Sequence, residues 1–535
     1  MTINDSKRQL LPNVEPTNFS GKSAGNNNDS ATTGMSSPVK LSAARVSPFI
    51  AALILQLAAC AAGPNFVKPA APDVRDYTAT PLSTTASTPD LAGGQSQRFA
   101  SGSSVSADWW TLFHSKPLDD LIEESLANNH DLKAAQAALS VARENVLAHR
   151  GVYYPNVSGS FSANRRQDPR GSLAAVPSTN AYLYNLFTPQ VSVSYVPDVF
   201  GLNRRTGEAL QAQQQAARYQ MIATYTTLTA NVAVTAIQAG AVQMQIDATR
   251  ELIDLNSHSL QIVQYQFDKG YASGIDLAAQ KSQLAQITAT LPPLLKQFAQ
   301  LRDLLAVLAG RYPSRAPDYK FELTSLQLPG ELPVSLPSEL VAQRPDVLQA
   351  EENMHSASAQ IGIAAANRLP NIQLTADVGS TALAIDQVFH SGTGFWGLSA
   401  ALTAPIFAGG TLLHQEHAAK AAYIQAAEQY RGTVLTAMQD VADTLAALEQ
   451  DADALKAAAV ADDAAKTTLE LVGRQSQVGY VGYLALLSAE QAYRQARINL
   501  VQAQANRFAD TAALYHALGG GWWHRAELAE NNDGK

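Results

Sequence analysis

No proline occurs between Pro197 and Pro292, nor anywhere after Pro405. Proline breaks helix interiors, because its ring removes a backbone donor and clashes with the preceding turn. Two stretches of this chain are therefore free to form helices far longer than those of an ordinary globular domain. Glu208 to about Asn256 alone, ~49 residues, would span roughly 75 Å at 1.5 Å per residue. The Asn256-Ser257-His258-Ser259 run is expected to bend or interrupt that helix. In the second stretch Val434, Met438, Val441, Leu445, Leu448, Ala452, Leu455 and Ala459 alternate spacings of four and three. Such a seam has a 3.5-residue period and implies left-handed coiling of one helix on another. Each long helix then meets glycines, Gly270 and Gly274 in the first stretch and Gly479 and Gly482 in the second, and a further helix follows. The expectation is two helical hairpins with their tips at those glycines.

The two hairpins belong to an internal repeat. Asn129-His130-Asp131-Leu132 matches Arg344-Pro345-Asp346-Val347, and Tyr154-Pro155-Asn156-Val157 matches Leu369-Pro370-Asn371-Ile372, both at an offset of 215. Phe200 pairs with Phe407 at 207, and Phe267-Asp268-Lys269-Gly270-Tyr271 with Ser476-Gln477-Val478-Gly479-Tyr480 at 209. The order of the matches is kept along the whole repeat, which points to a duplication.

Four segments between the helices have a different period. Val157-Ser158-Gly159-Ser160-Phe161-Ser162-Ala163 and Val191-Ser192-Val193-Ser194-Tyr195 alternate apolar or small residues with serine. Ile372-Gln373-Leu374-Thr375-Ala376-Asp377-Val378 and Trp396-Gly397-Leu398-Ser399-Ala400-Ala401-Leu402-Thr403 do the same. Period two with one polar face marks a half-buried strand. The rest of the chain is almost all helical and offers nothing to cover the apolar faces, whereas lipid would, leaving the polar residues in a wet lumen. The lumen candidates are Ser158, Ser160, Ser192, Ser194, Gln373, Thr375, Asp377, Ser399 and Thr403. Four strands cannot close a barrel, and open sheet edges are not tolerated in lipid. Three chains would supply twelve strands, so a membrane location calls for a homotrimer.

The N-terminus agrees with that location. Residues 1–39 are rich in Ser, Asn, Thr and Pro and lack apolar periodicity. Met35 is a second candidate translation start. Lys40 and Arg45 then precede an apolar stretch of about fifteen residues ending in small residues, the layout of a secretory signal. That stretch is shorter than the roughly 20 residues of a membrane-spanning helix. It closes on Leu57-Ala58-Ala59-Cys60, which resembles the lipobox of bacterial lipoproteins, and Cys60 is the only cysteine of the chain. The resemblance implies a covalent lipid on Cys60, which becomes the mature N-terminus. Ala61 follows where Asp would retain the product at the inner membrane, so outer-membrane delivery is implied. With one cysteine no disulfide forms within the chain, and a net charge of −8 argues against a nucleic-acid partner.

With repeat, strands and hairpins in place, the chain resembles the TolC-type outer-membrane efflux proteins, in their lipoprotein (OprM/NodT-like) branch. Leu336-Pro337-Ser338-Glu339-Leu340-Val341-Ala342-Gln343-Arg344-Pro345-Asp346-Val347 is similar to that branch's mid-chain signature. Cys60-Ala61-Ala62-Gly63-Pro64-Asn65-Phe66-Val67-Lys68-Pro69 is similar to its anchor segment. Asp198-Val199-Phe200-Gly201, Ala404-Pro405-Ile406-Phe407-Ala408-Gly409-Gly410 and Ala517-Leu518-Gly519-Gly520-Gly521-Trp522 are further matches in order. The resemblance implies a mainly α fold with membrane β: a trimeric twelve-stranded outer-membrane barrel continued by a twelve-helix periplasmic barrel. Each chain would give four strands and two helical hairpins, with a belt from residues 107–130, 311–345 and the C-terminal stretch. Its parts would be a removed leader and signal sequence (1–59), an anchored segment (60–106), a first repeat (107–325), a second repeat (326–524) and a tail (525–535). Strands would fall near 155–200 and 370–407, and hairpins near 204–310 and 411–518. It implies a passive exit duct for small toxic compounds, docked through the hairpin tips to a periplasmic membrane-fusion adaptor and a resistance-nodulation-division pump. No cofactor and no catalysis are implied.

Family members close the periplasmic tip with a ring near the second hairpin turn, which falls here on Leu484, Ser488 and Gln491. Ser488 stands where the better-known pattern is acidic and Gln491 where it is basic, so closure would rest on leucine packing and neutral hydrogen bonds, each worth about 1 kcal/mol net. An outer-membrane component of type I protein secretion, or a structural coiled-coil lipoprotein, would share many of these features. His414 and His417 at i, i+3 share a helix face but lack a third ligand and the metalloprotease spacing. Gly21-Lys22-Ser23-Ala24-Gly25 has the hydrolase elbow spacing without the strand–turn–helix context it needs. Trp109-Trp110 and Trp522-Trp523 are expected as anchors of the belt core.

Overall fold

A computed structural model describes residues 61–80, 82–167, 183–316, 320–478 and 480–529. Cys60, with the expected cleavage site, and Gly479 lie outside them. Helices α1 (Lys116–Asn128) and α2 (His130–Arg150) lead to strands β2 (Asn156–Gln167) and β3 (Leu183–Tyr195), after a short β1 (Arg98–Ser101). The first hairpin is α3 (Leu202–Asp268) and α4 (Gly274–Leu308). After β4 (Glu331–Val334) the pattern returns as α5 (Pro337–Gln343), α6 (Pro345–Ala366), β5 (Asn371–Ser380), β6 (Gly394–Thr403), α7 (Thr411–Gln477), α8 (Tyr483–Ala517) and a final turn, α9 (Ala526–Ala529).

The repeat holds at the level of single residues. Helices α3 and α7 each have 67 residues and α4 and α8 each 35. At 1.5 Å per residue the long helices measure roughly 100 Å. Gly201 and Gly410, both left-handed, cap α3 and α7 at an offset of 209, whereas α2 and α6, and β2 and β5, start 215 apart. Phe200 therefore has no counterpart in Phe407, contrary to the pairing at 207: strand register and caps both require 209 there.

The expected break at Asn256–Ser259 does not occur; α3 runs through it. Polar side chains interrupt a helix when they compete for its backbone. Here they turn back onto it: Asn256 Nδ2 donates to Leu252 O at 3.0 Å, Ser257 Oγ to Ile253 O at 2.7 Å, and His258 Nδ1 lies 2.9 Å from Asp254 O. Helix α4 likewise runs through Pro292 and Pro293. At the first tip Gly270 takes φ +80°, and Ser273 and Asp276 form a reciprocal capping box that starts α4.

The belt holds the core. Trp109 stacks on Tyr515 at 5.3 Å, and Phe113, Phe508, Leu118, Leu121, Ile122, Ile222 and Ile237 pack fully buried around them. Trp110 and Trp522 are buried too, as expected of the tryptophan pairs, and Trp523 packs beside them. The heptad residues Val441, Leu445, Leu448, Ala452 and Leu455 of α7 are buried. Arg344 bridges Asp346 and Asp440 at 2.6 and 2.9 Å and donates to Ala517 O, tying the mid-chain signature to α7 and the end of α8. Arg507, 1 % exposed, donates to Leu448 O and Thr85 Oγ1, which fastens the N-terminal segment to the hairpin. Strand β1 pairs in parallel with β4, a two-stranded sheet that alternation did not reveal.

Candidate functional site: the strand faces and the hairpin tips

Strands β2, β3, β5 and β6 form one antiparallel sheet in that order. Residues directly opposite in such a ladder share a face. Ser158 lies opposite Ser192, Ser192 opposite Asp377, Ser194 opposite Thr375, and Thr375 opposite Ser399. Ser160, Gln373 and Thr403 fall on the same face by the same register. All nine lumen candidates are thus brought together on one surface. They are linked across strands: Ser192 Oγ donates to Asp377 Oδ1 at 2.6 Å, Thr375 Oγ1 lies 2.6 Å from Ser399 Oγ, and Gln190 Nε2 donates to Ser192 Oγ at 2.8 Å. Gln190 was not among the candidates, though it continues the serine alternation of β3.

The opposite face carries Val157, Phe161, Val191, Leu374, Val378, Trp396, Leu398 and Leu402, all exposed; Trp396 and Leu398 are 76 % and 74 % exposed. Nothing among the described residues covers it. The outer edges of β2 and β6 pair with no strand among the described residues. An uncovered apolar face bounded by two open edges is stable neither in water nor in lipid until something closes it.

At the other end of the hairpins Gly270 occupies the turn, Gly274 the first residue of α4, and Gly482 the extended cap of α8. Tyr271, Ile275 and Tyr480 stand exposed around them. Leu484 is 67 % exposed and Ser488 is exposed, so neither packs inside its own hairpin. Gln491 differs: its Nε2 donates to Gln283 Oε1 of α4 at 2.8 Å, linking the two hairpins. Behind that link Gln280 Nε2 donates to Asn256 O at 3.0 Å, and Asn256, Gln280 and Gln283 are all buried. Burial pushes the Glu490 carboxyl above its ordinary range, against a lowering hydrogen bond with Asn256. Amides in long helices read as solvent-facing, so only their coincidence with buried Ile287 and Leu487 could have flagged this cluster.

The segment after Ala61 starts at the sheet end of α3 and runs from there along α6. Arg205 donates to Ala62 O at 3.0 Å and Asn65 Oδ1 at 2.8 Å, and Lys68 pairs with Glu351 at 3.0 Å. Phe66 stacks on His355 at 4.3 Å, and His355 contacts Glu352 and Glu208, each at 3.2 Å. The bond to Glu352 chiefly raises the His355 pKa; burial opposes it and Glu208 adds to it. His414 and His417 sit edge to face at 5.9 Å on the first turns of α7, both exposed. No group of three or more His, Cys, Asp or Glu residues able to hold a metal occurs among the described residues.

The family model described as outer membrane efflux protein matches residues 121–311 and 336–520. The pyoverdine export outer membrane protein OpmQ of Pseudomonas putida is 29 % identical over 426 residues, 77 % of this chain and 88 % of that protein. The outer membrane protein OprJ of Pseudomonas aeruginosa is 27 % identical over 498 residues, 90 % of this chain and 97 % of its own. Among solved structures the Campylobacter jejuni CmeC outer membrane channel superposes with a TM-score of 0.80 at 20 % identity, over 88 % of this chain and 97 % of that one. A polar strand face backed by an uncovered apolar one, two equal hairpins and these matches agree: the chain belongs to the outer membrane efflux protein family and is a channel protein of the outer membrane.

Proposed function

We propose that the protein is the outer-membrane exit duct of a tripartite efflux system, working as a homotrimer, lipid-anchored through Cys60. One observation carries the assembly: a four-stranded sheet with one polar face, one uncovered apolar face and two unpaired edges. Three copies give the twelve strands of a closed barrel, which satisfies every backbone group in lipid and turns the polar face inward. The repeat supplies the joint. Within the chain β3 pairs with β5, Ser194 opposite Thr375 and Val193 opposite Ala376. Moved on by one repeat, the same register sets Thr403 opposite Ser160 and Leu402 opposite Phe161 of the next copy, polar on polar and apolar on apolar.

The long hairpins continue the duct into the periplasm, and their tips, with Tyr271, Ile275 and Tyr480 exposed, suit docking of a membrane-fusion adaptor to a resistance-nodulation-division pump. The duct conducts passively; the pump selects small toxic compounds and supplies the energy, so no residue here needs a catalytic role. The Gln283–Gln491 link and Leu484 hold the tip closed at rest. Planar-bilayer recording of the detergent-extracted protein tests this. Small discrete conductances are expected, enlarged by Leu484→Ser. Protein that leaves the membrane without detergent would overturn the duct and favour a structural coiled-coil lipoprotein.

A further inference from the structure

Helix α6 of the second repeat packs into a groove of α3 from the first. The contact is defined by three points: Arg205 against Gly362, Glu208 Oε1 3.2 Å from His355 Nε2, and Gln213 Nε2 3.4 Å from Ser356 Oγ. Ala209 and Ala212, on the same stripe of α3, are 2 % and 1 % exposed, small residues that let the helices approach. Each position has a counterpart in α7, 209 residues on: His414, His417, Ala418, Ala421 and Ala422 stand for Arg205, Glu208, Ala209, Ala212 and Gln213. The two alanines are the same residues, yet they are exposed, as are both histidines. Helix α2 stands in the same relation to α6, at 215, and Ser140, Val141 and Leu147 take the places of His355, Ser356 and Gly362. They too are exposed. The chain thus contains both halves of a second groove and joins neither to the other.

We propose that the α7 stripe His414–His417–Ala418–Ala421–Ala422 is the seat of helix α2 of a second copy, in the register of the α3–α6 contact. The inference rests on the trimeric assembly proposed above and adds to it the helix, the residues and the register of the joint. It also gives the histidine pair a role without a metal. His417 takes the place of Glu208 and Ser140 that of His355, so the hydrogen bond across the groove is kept with the histidine on the opposite helix. Val141 lies over Ala422, where Gln213 meets Ser356, and replaces a polar contact by an apolar one. Glu144, one helical turn from Ser140 on the same face of α2, borders His417 in this register.

Two cysteine pairs test the register, Leu147→Cys with His414→Cys and Val141→Cys with Ala422→Cys, each placed in one full-length chain. The first is set for a disulfide, because a Cβ added at Gly362 would lie 2.8 Å from Arg205 Cγ; the second is probed with a short bifunctional thiol reagent. Both should convert most of the protein into covalent dimers and trimers. The single variants, which keep Cys60, should not, and Leu147→Cys with Ala427→Cys, a full turn or more away, should link far less. If light scattering of the detergent-extracted protein gives three chains but neither pair links above the single variants, this seat is wrong and the trimer stands. A mass of one chain would remove the trimer itself. Linking by only one pair would overturn the register.

Discussion

Leu398 and Ser399 are neighbours on β6 that point to opposite faces of the sheet. Leu398 is 74 % exposed and Ser399 bonds Thr375 on the polar face. Were the sheet surrounded by water, Leu398→Arg would cost little, since substitutions at exposed sites usually stay within about 0.5 kcal/mol. In a lipid-facing barrel the cost of an arginine near the bilayer midplane is about 2–4 kcal/mol. Leu398 is the fifth of ten residues in its strand, so it sits near that midplane. Three copies bring the cost to roughly 6–12 kcal/mol per trimer, comparable with the whole stability of a typical domain. Ser399→Arg, one residue on, loses a neutral hydrogen bond of about 1 kcal/mol and keeps its charge in water. The assay is outer-membrane yield together with urea melting of the trimer band on unheated gels. Leu398→Arg should all but abolish the band and Ser399→Arg should keep it while shifting ion selectivity. Equal tolerance of the two would refute the assignment of the faces.

Three further outcomes follow from the tip and the anchor segment. Removing the inter-hairpin bond with Gln491→Ala should cost about 1 kcal/mol per chain and favour opening about fivefold, read as more frequent or larger conductance steps; moderate salt should add nothing beyond bulk scaling, because the bond is neutral. His355 has a raised pKa, so its contribution to stability is complete below about pH 6.5 and is lost as pH rises through the raised value; the gap in melting temperature between wild type and His355→Gln should be wide at pH 6 and narrow at pH 8.5. Glu490 is also raised, so its neutral form is favoured in the folded chain and stability falls as pH rises through that value; Glu490→Gln should raise the melting temperature at pH 7.5 and leave it unchanged at pH 4.

Sequence periodicity revealed what is periodic. Alternation over five to eight residues gave the strand faces, since a one-residue slip would reverse every side chain, and the nine polar residues fall together in the register observed. The heptad seam of α7 was legible for the same reason. What escaped detection depends on pairs far apart in the chain. Strands β1 and β4 have four residues each and pair across Arg98 and Glu331. The continuity of α3 through Asn256 rests on side chains that bond back to their own helix, which composition does not distinguish from a break. The buried amides at the tips look like solvent-facing residues until the second hairpin covers them. Asymmetry of the repeat was the subtlest signal: Ala209 and Ala418 are the same residue at equivalent places, one buried and one exposed, and only the structure separates them.

The central claim is that one chain is a third of a closed wall. The most direct measurement is the protein mass of the detergent-extracted particle by light scattering, with the detergent contribution subtracted. Three chains per particle, at all protein concentrations above dissociation, is the predicted result. A single chain per particle that remains folded would contradict the account, because one sheet with two open edges would then be stable alone.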